Sequence, residues 1–233
     1  MASSKKVWCT VICLLFAIAL SVLIILLLSR PKEESWKEQI KTQSLTVEHP
    51  VEPAKSIPLT SEFLAASMDF GLELLNYDVN VEKNQNVLIS PASALFALGM
   101  TGNGTDGDTL KEFEEVLGNG LSMEELSQSY GTLLQQYKKI PSDKLSVANS
   151  IWFKADGRSA LPSFLETNAR YFGQDIYSAP NLDEAKEDIN FWVSRQTNGL
   201  IPGLYGPKEK IDDSVFMILI NTLYFHMGWE QEF

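Results

Sequence analysis

A glycine-rich loop is the first feature of this chain whose residue types could carry chemistry. Residues 102–107 read GNGTDG, a literal match to the G-x-G-x-x-G pattern that surrounds a dinucleotide pyrophosphate. That chemistry needs the glycines directly after a strand and at the start of a helix, where free N–H groups face the phosphates. Here the helix-forming segment PASALFALGM separates the apolar run NVLIS from the loop, and Asp106 and Asp108 would repel a phosphate. The motif is therefore predicted to be a joint between two helices.

Other catalytic and metal-binding patterns are missing from the sequence. The chain has two histidines, His49 and His226, and two cysteines, Cys9 and Cys13. It contains no H-E-x-x-H, no paired cysteine ligands and no G-x-S-x-G. Acidic pairs on the predicted helices are typical of solvated faces. The sequence thus predicts no enzyme, no cofactor and no metal site, and His226 is interpreted as a structural or surface side chain.

The net charge of the chain indicates which classes of binding partner are not expected. The chain carries 19 basic and 30 acidic residues, a formal net charge of −11. Such a surface repels phosphate backbones and other polyanions, so neither nucleic acid nor heparin is expected to bind.

The clearest targeting signal is an uncharged apolar run at residues 7–28, which follows two lysines. At ~1.5 Å per residue it would extend about 33 Å, enough to cross a hydrocarbon core of roughly 30 Å. A secretory signal has a shorter apolar core and a small-x-small cleavage site, which LLLSRPK does not offer. We predict a transmembrane signal anchor at residues 7–29, with residues 1–6 cytoplasmic and the remainder extracellular or lumenal. A cleaved signal peptide and a secreted protein are the alternative.

The elements that must position any functional residue follow a polar, proline-bearing segment. Residues 30–58 are predicted to be a stalk, and the folded part is predicted over residues 59–233. Apolar residues at spacings of three and four, from Phe63 to Leu74, indicate its first helix.

Capping residues predict where several helices begin. After a short strand at NVLIS, Ser90 is predicted to cap a buried helix that starts at Pro91. Capping boxes are predicted at Thr109 with Glu112 and at Ser122 with Glu125, and Asn181 and Glu184 are predicted to cap a later helix.

Three further segments read as strands. Alternation in LSVANSIWF, at residues 145–153, predicts a strand with one buried face, and a short strand is predicted around QDIYSA. SVFMILINTLYF, at residues 214–225, is apolar on both faces, which is typical of an interior strand. A helix is predicted from Pro162 to Phe172, so the chain is assigned to the α+β class.

Four segments resemble the serpins, a family of protease inhibitors, in the family's order and spacing. They are NVLISPASALFALGMTGNGTDGDTLKEFEEVLG, VANSIWF, INFWVSRQTNGLI and ILINTLYFHMGWEQEF. The resemblance covers residues 59–233. It implies a serpin-like fold, with helices packed around a large central sheet, of which this chain holds the N-terminal half.

The resemblance also implies roles for individual residues. Ser90, Ser93 and Asn221 match the polar cluster beneath the central sheet that controls its opening. Helix capping and an ordinary buried hydrogen bond for Asn221 are compatible with that role. Trp229 matches the tryptophan at the top of the sheet, where a reactive loop begins to insert, and His226 stands where the family usually has Lys.

One modification site is predicted from a local motif. Asn103 begins an N-G-T triplet, so it is a predicted N-glycosylation site if this part of the chain faces the lumen.

By the same resemblance, the parent protein inhibits serine or cysteine proteases as a suicide substrate. The protease forms an acyl-enzyme with an exposed loop, and the cut loop then inserts into the sheet as a new strand. That loop is absent from the 233 residues, and the apolar strand at 214–225 would need cover on both faces and both edges. We therefore expect a partial sequence or a truncated isoform that is inactive as an inhibitor. The alternatives are a non-inhibitory serpin-like binding or chaperone protein and a membrane-tethered interaction fragment.

Overall fold

The structure, a computed structural model, describes residues 35–46, 50–81, 85–173 and 175–231. Contacts divide the chain into two units, residues 1–41 and residues 42–233. In the first unit the described residues include a 3-10 helix at Ser35–Gln39. The predicted signal anchor at residues 7–29 lies outside the described residues. Among the helices that are described, none combines the length and the apolar character needed to cross a bilayer.

The helices of the second unit cover its predicted helical segments. In chain order they are α1 (Ser61–Val81), α2 (Pro91–Gly102), α3 (Gly107–Gly118), α4 (Met123–Tyr137), α5 (Pro162–Tyr171) and α6 (Lys186–Gln196). α1 begins where the apolar spacing predicts, because Phe63 N donates to Thr60 Oγ1 at 3.2 Å and the Phe63 side chain is buried.

Two predicted helix starts are confirmed by their capping bonds. Ser90 caps α2, with Pro91 as the first helical residue. At the start of α4, Ser122 and Glu125 form the reciprocal capping box, and the two side chains lie 2.6 Å apart.

Two other predicted caps are wrong. α3 begins at Gly107, where Asp106 is the cap and accepts from Gly107 N at 2.7 Å, so Thr109 lies inside the helix. The glycine has a φ of +60°, which a residue without Cβ adopts freely. α6 begins at Lys186 without a side-chain cap, and Asn181 instead accepts from Asp183 N at 2.9 Å in the preceding turn.

Four strands of the described residues form one mixed sheet. They are β1 (Gln43–Ser44), β2 (Leu145–Lys154), β3 (Asp175–Ala179) and β4 (Met217–Phe225), in the spatial order β1-β3-β2-β4. β2 and β3 are parallel and are joined through α5, whereas the other two pairs are antiparallel. β2, β3 and β4 lie in the three segments predicted to be strands at residues 145–153, around QDIYSA and at residues 214–225, which confirms these predictions. Among the described strands, β4 lies at one edge of the sheet.

The strand predicted at NVLIS is wrong. Residues 86–90 have no regular structure, and the Leu88 side chain is 97% exposed. A strand is stabilised by its neighbours, and the described part of the chain places none beside this segment.

β2 is buried on both faces, not on one as the alternation predicts. Ile151 and Phe153 face the main core, which α1, α2 and α4 supply with aromatic and aliphatic side chains. On the other face Trp152 stacks on Tyr177 with 4.3 Å between ring centroids. α6 covers that face, and Trp192 Nε1 donates to Asp175 Oδ2 at 2.9 Å. A helix on each face of the sheet is the reason for the difference.

Tyr130 lies at the centre of the main core. Its ring makes edge contacts with Phe63 and Phe96, at centroid distances of 5.5 and 5.9 Å, and a tilted contact with Phe172 at 6.0 Å. Burial raises the pKa of the Tyr130 phenol, so this side chain is neutral at physiological pH.

Residues 42–46 and 50–58, which the sequence assigns to a stalk, pack against the remainder of the second unit. Gln43 and Ser44 form β1, and the Leu45 and Val51 side chains pack against the core. The second unit therefore includes the described residues of this segment from Thr42 onward.

Asn190 on α6 organises the connection from α6 to β4. Its Oδ1 accepts from Leu204 N at 2.8 Å and from Tyr205 N at 3.0 Å, and its Nδ2 donates to Tyr205 O at 2.8 Å. Gly203 packs against this amide so closely that a Cβ there would lie 2.4 Å from Asn190 Cγ.

Gly203→Ala should therefore destabilise the fold, because the new methyl group displaces the Asn190 amide from its three bonds. We expect the free energy of unfolding to fall by about 1–3 kcal/mol in urea denaturation of the full chain in mild detergent. Gly206→Ala is the matched control in the same connection, since the new Cβ would lie 3.9 Å from Glu209 Oε2, an ordinary van der Waals distance. Equal stability of the two variants would contradict this prediction.

Candidate functional site

The first part of the candidate site is a pair of serines at the start of α2. Ser90 Oγ donates to Ser93 Oγ at 3.0 Å and accepts from Ser93 N at 3.3 Å. Both side chains are half-buried. Ser90 is therefore the N-cap of α2, and its hydroxyl also forms a hydrogen bond with the hydroxyl of Ser93.

The second part is a pair of asparagines that face each other across β2 and β4. Asn149 and Asn221 are directly opposite in the antiparallel register. Asn221 Nδ2 donates to Asn149 Oδ1 at 2.8 Å, and Asn149 Nδ2 donates to Phe172 O at 2.9 Å. These bonds connect β4, β2 and the end of α5.

The polar partner of Asn221 was not identified from the sequence. Asn149 is a buried polar residue within the apolar alternation of LSVANSIWF, and that is the signal that could have drawn attention to it. Its pairing with Asn221 depends on the strand register, which a single sequence does not specify.

The structure brings the two pairs to adjoining elements. α2, which carries Ser90 and Ser93, packs against β4, which carries Asn221. The asparagine pair also has unused bonding capacity, because Asn221 Oδ1 is buried and has no hydrogen-bond partner among the described residues. An uncompensated buried acceptor is costly, so an additional donor to this oxygen would be stabilising.

The two residues matched to the top of the sheet lie just past the end of β4. His226 N donates to Lys144 O at 2.8 Å, and its exposed ring lies 6.4 Å from the ring of Tyr224. Trp229 is 76% exposed. Both residues are thus at the end of the sheet distant from the β2–α5 connection.

The glycine-rich loop is a joint between α2 and α3, as predicted. α2 ends at Gly102 and α3 begins at Gly107. A Cβ at Gly102 would lie 2.6 Å from Met123 Sδ, and one at Gly104 would lie 3.0 Å from the Phe164 ring. Close packing against neighbouring side chains explains these glycines.

Asn103, the predicted glycosylation site, lies at the end of α2. Its Oδ1 accepts from Ser127 Oγ at 3.0 Å, and its Nδ2 is 3.5 Å from Asn168 Oδ1. The side chain is half-buried. Glycosylation of this residue remains a prediction.

The residues described by the structure include no cluster of three or more His, Cys, Asp or Glu side chains arranged to hold a metal ion. The candidate site consists of the Ser90–Ser93 and Asn149–Asn221 pairs, here together called the polar cluster, whose hydroxyl and amide groups form hydrogen bonds.

The Asn149–Asn221 bond is expected to couple the stabilities of the two strands. Asn149→Ala and Asn221→Ala should each lower the free energy of unfolding by about 1–3 kcal/mol, because each leaves a buried amide group without its partner. The double variant should lose less than the sum, with a coupling energy of about 1 kcal/mol in a double-mutant cycle. His226→Ala, an exposed change just past the same strand, is the control. Strict additivity of the two asparagine changes would show that the bond is not made.

Comparisons with known proteins agree on one family. The family described as "Serpin (serine protease inhibitor)" matches residues 65–233. Iripin-1 from Ixodes ricinus is 34% identical over 175 residues, which cover 72% of this chain and 44% of Iripin-1. Plasminogen activator inhibitor 1 from Sus scrofa is 30% identical over 173 residues, which cover 71% of this chain and 41% of that protein. The chain spans about half the length of the curated relatives it matches.

Solved structures share the fold and confirm the predicted serpin-like architecture. Tengpin, a thermophilic serpin, matches in its native state with a TM-score of 0.71 and 35% identity, over 82% of this chain and 48% of Tengpin. Serpins are protease inhibitors, so the family match also confirms the prediction that the chain is not an enzyme. Because the family match extends over well more than half of its residues, the chain belongs to the serpin family.

Proposed function

We propose that this chain supplies the N-terminal half of a serpin-type inhibitor of serine proteases. The observation that carries the proposal is the family match over residues 65–233, in a family described by protease inhibition. The name of one relative, plasminogen activator inhibitor 1, supports the same function. Cysteine proteases of the papain type are a second target class.

In the proposed reaction, the protease nucleophile attacks a peptide carbonyl of the reactive loop. The C–N bond breaks, the amine side leaves with a proton, and the acyl group stays on the protease as an ester or thioester. The cut loop then joins the central sheet as a new strand.

We assign the polar cluster of Ser90, Ser93, Asn149 and Asn221 to the control of that sheet. The Asn149–Asn221 bond adds a side-chain link to the pairing of β4 with β2, and α2 lies against β4. Small hydroxyl and amide groups can exchange hydrogen-bond partners with little change in volume when a strand moves. Trp229 and His226 are assigned to the end of the sheet where insertion begins.

We also propose that the inhibitor domain is extracellular or lumenal. An anchor at residues 7–29 would hold it at the membrane, with residues 1–6 cytoplasmic and Asn103 available to the glycosylation machinery during synthesis. Removal of the same segment as a signal peptide would give a secreted form. The uncharged run at residues 7–28 carries this proposal.

The inhibitory function is tested by a covalent complex that survives SDS. The polypeptide encoded by the same reading frame through a reactive loop should form an SDS-stable complex with a trypsin-like or papain-like protease, because the acyl bond is covalent. The 233 residues alone should form none. Failure of the longer polypeptide across a broad protease panel would contradict inhibition and favour a serpin-like binding or chaperone protein. A stable cell-surface product of 233 residues would favour an interaction fragment.

The anchor is tested by membrane extraction. The expressed chain should stay with the membrane pellet at alkaline pH, because about 22 apolar residues in a bilayer are not released by loss of electrostatic contacts. Replacing Leu20 and Val22 with Arg should move the chain to the supernatant, whereas replacing them with Ile and Leu should not. A wild-type product that begins beyond residue 28 would instead establish a cleaved signal.

A further inference from the structure

Residues 42–46 and 50–58, here called the strap, are held by hydrogen bonds to a carboxylate on α6 of the same unit. Thr42 N and Thr42 Oγ1 both donate to Asp188 Oδ2 on α6, at 2.7 and 2.6 Å. Both residues are half-buried. Asp188 therefore recognises a hydroxyl and an adjacent backbone N–H at the first position of the strap.

Next along the strap, the backbone pairs with the outer edge of β3. Gln43 is opposite Ser178 and Ser44 is opposite Tyr177 in antiparallel register, and Leu45 N donates to Ile176 O at 2.8 Å. This is the geometry by which an extended peptide adds to the edge of a sheet.

Apolar and polar contacts complete the attachment. The Leu45 and Val51 side chains pack against the core. Ala54 N donates to Arg170 O at 3.1 Å, and Ile57 N donates to Thr132 Oγ1 at 3.1 Å. The strap thus crosses β3, α5 and α4 through separate points of contact.

The way the strap is built favours its release without unfolding of the core. Its strand is two residues long. Pro50, Pro53 and Pro58 have no N–H to donate, and most side chains between them are exposed. Segments with few buried contacts and exposed backbone bonds open locally at lower cost than core strands.

We propose that the outer edge of β3, together with Asp188, is a binding site for an extended peptide. In this structure the strap occupies the site, and a peptide can displace it. The contacts specify the partner: a strand that pairs antiparallel to β3, with Thr at the position of Thr42 and an aliphatic residue three positions later, where Leu45 packs. A peptide of the type Thr-x-x-Leu fits this description. While the strap is paired with β3, it prevents such a peptide from binding.

The test uses a labelled peptide of residues 42–58 and the full chain in detergent micelles. The variant with Thr42→Val and Leu45→Ala has a weakened strap but an intact binding site. Fluorescence anisotropy should show that this variant binds the peptide at least tenfold more tightly than the wild type, because the intact strap competes in the wild type at high local concentration. Gln43→Ala, an exposed change in the same strand, is the control and should bind as the wild type does.

Two further variants test the chemistry of the site. Adding Asp188→Asn to the weakened variant should reduce peptide affinity at least tenfold. A peptide with the same two substitutions, Val for Thr and Ala for Leu, should not bind. If the weakened variant binds no more tightly than the wild type, or binds the substituted peptide equally well, the proposal is overturned.

Hydrogen exchange keeps the proposal testable if the weakened variant does not fold. In the wild-type chain, the amides of Leu45, Ala54 and Ile57 should exchange at least tenfold faster than the β2 amides, through opening of the strap alone. Exchange of these amides at the rate of the β2 amides would show that the strap opens only with global unfolding, and would overturn the proposal.

Discussion

The antiparallel pairing of β2 with β4 is the interaction on which the rest of this structure depends. Its register runs from Leu145 opposite Phe225 to Phe153 opposite Met217. Because side chains alternate between the faces of a strand, Ile151 lies in the main core and Trp152 lies on the face that α6 covers. The same register places Asn149 opposite Asn221. A shift by one residue would put the polar pair out of reach and turn the core residues outward.

Local sequence signals predicted the elements that local chemistry determines. Ser90 with Pro91 and Ser122 with Glu125 act within one helical turn, so their caps could be read directly. Thr109 failed as a cap because Asp106, three residues earlier, offers a carboxylate next to a glycine that can adopt positive φ. Other features that the sequence did not predict depend on distant partners. NVLIS has β-forming residues but no neighbouring strand among the described residues. The second face of β2 is buried because α6 packs against the sheet.

In the candidate site, too, some residues could be identified from the sequence and others depend on contacts between distant segments. Ser90, Ser93 and Asn221 came from a resemblance of sequence, whereas Asn149 emerged only from the strand register. Residues 42–46 and 50–58 show no periodic pattern of apolar residues, yet Thr42 and Leu45 contact α6, β3 and the core. These residues make individual hydrogen bonds and side-chain contacts that follow no periodic pattern along the sequence. Composition alone therefore does not distinguish such a segment from a linker. The family assignment accounts for the fold, and the polar cluster and the strap are what this chain's own contacts add to it.

Disulfide trapping measures the β2–β4 register most directly. In a full chain with Cys9 and Cys13 replaced by Ser, cysteines at Ser146 and Tyr224, which are opposite each other, should form a disulfide under mild oxidation. Cysteines at Ser146 and Leu223, one residue out of register and on opposite faces, should not. Efficient trapping of the second pair and not of the first would contradict the register, and with it the placement of the core and the asparagine pair.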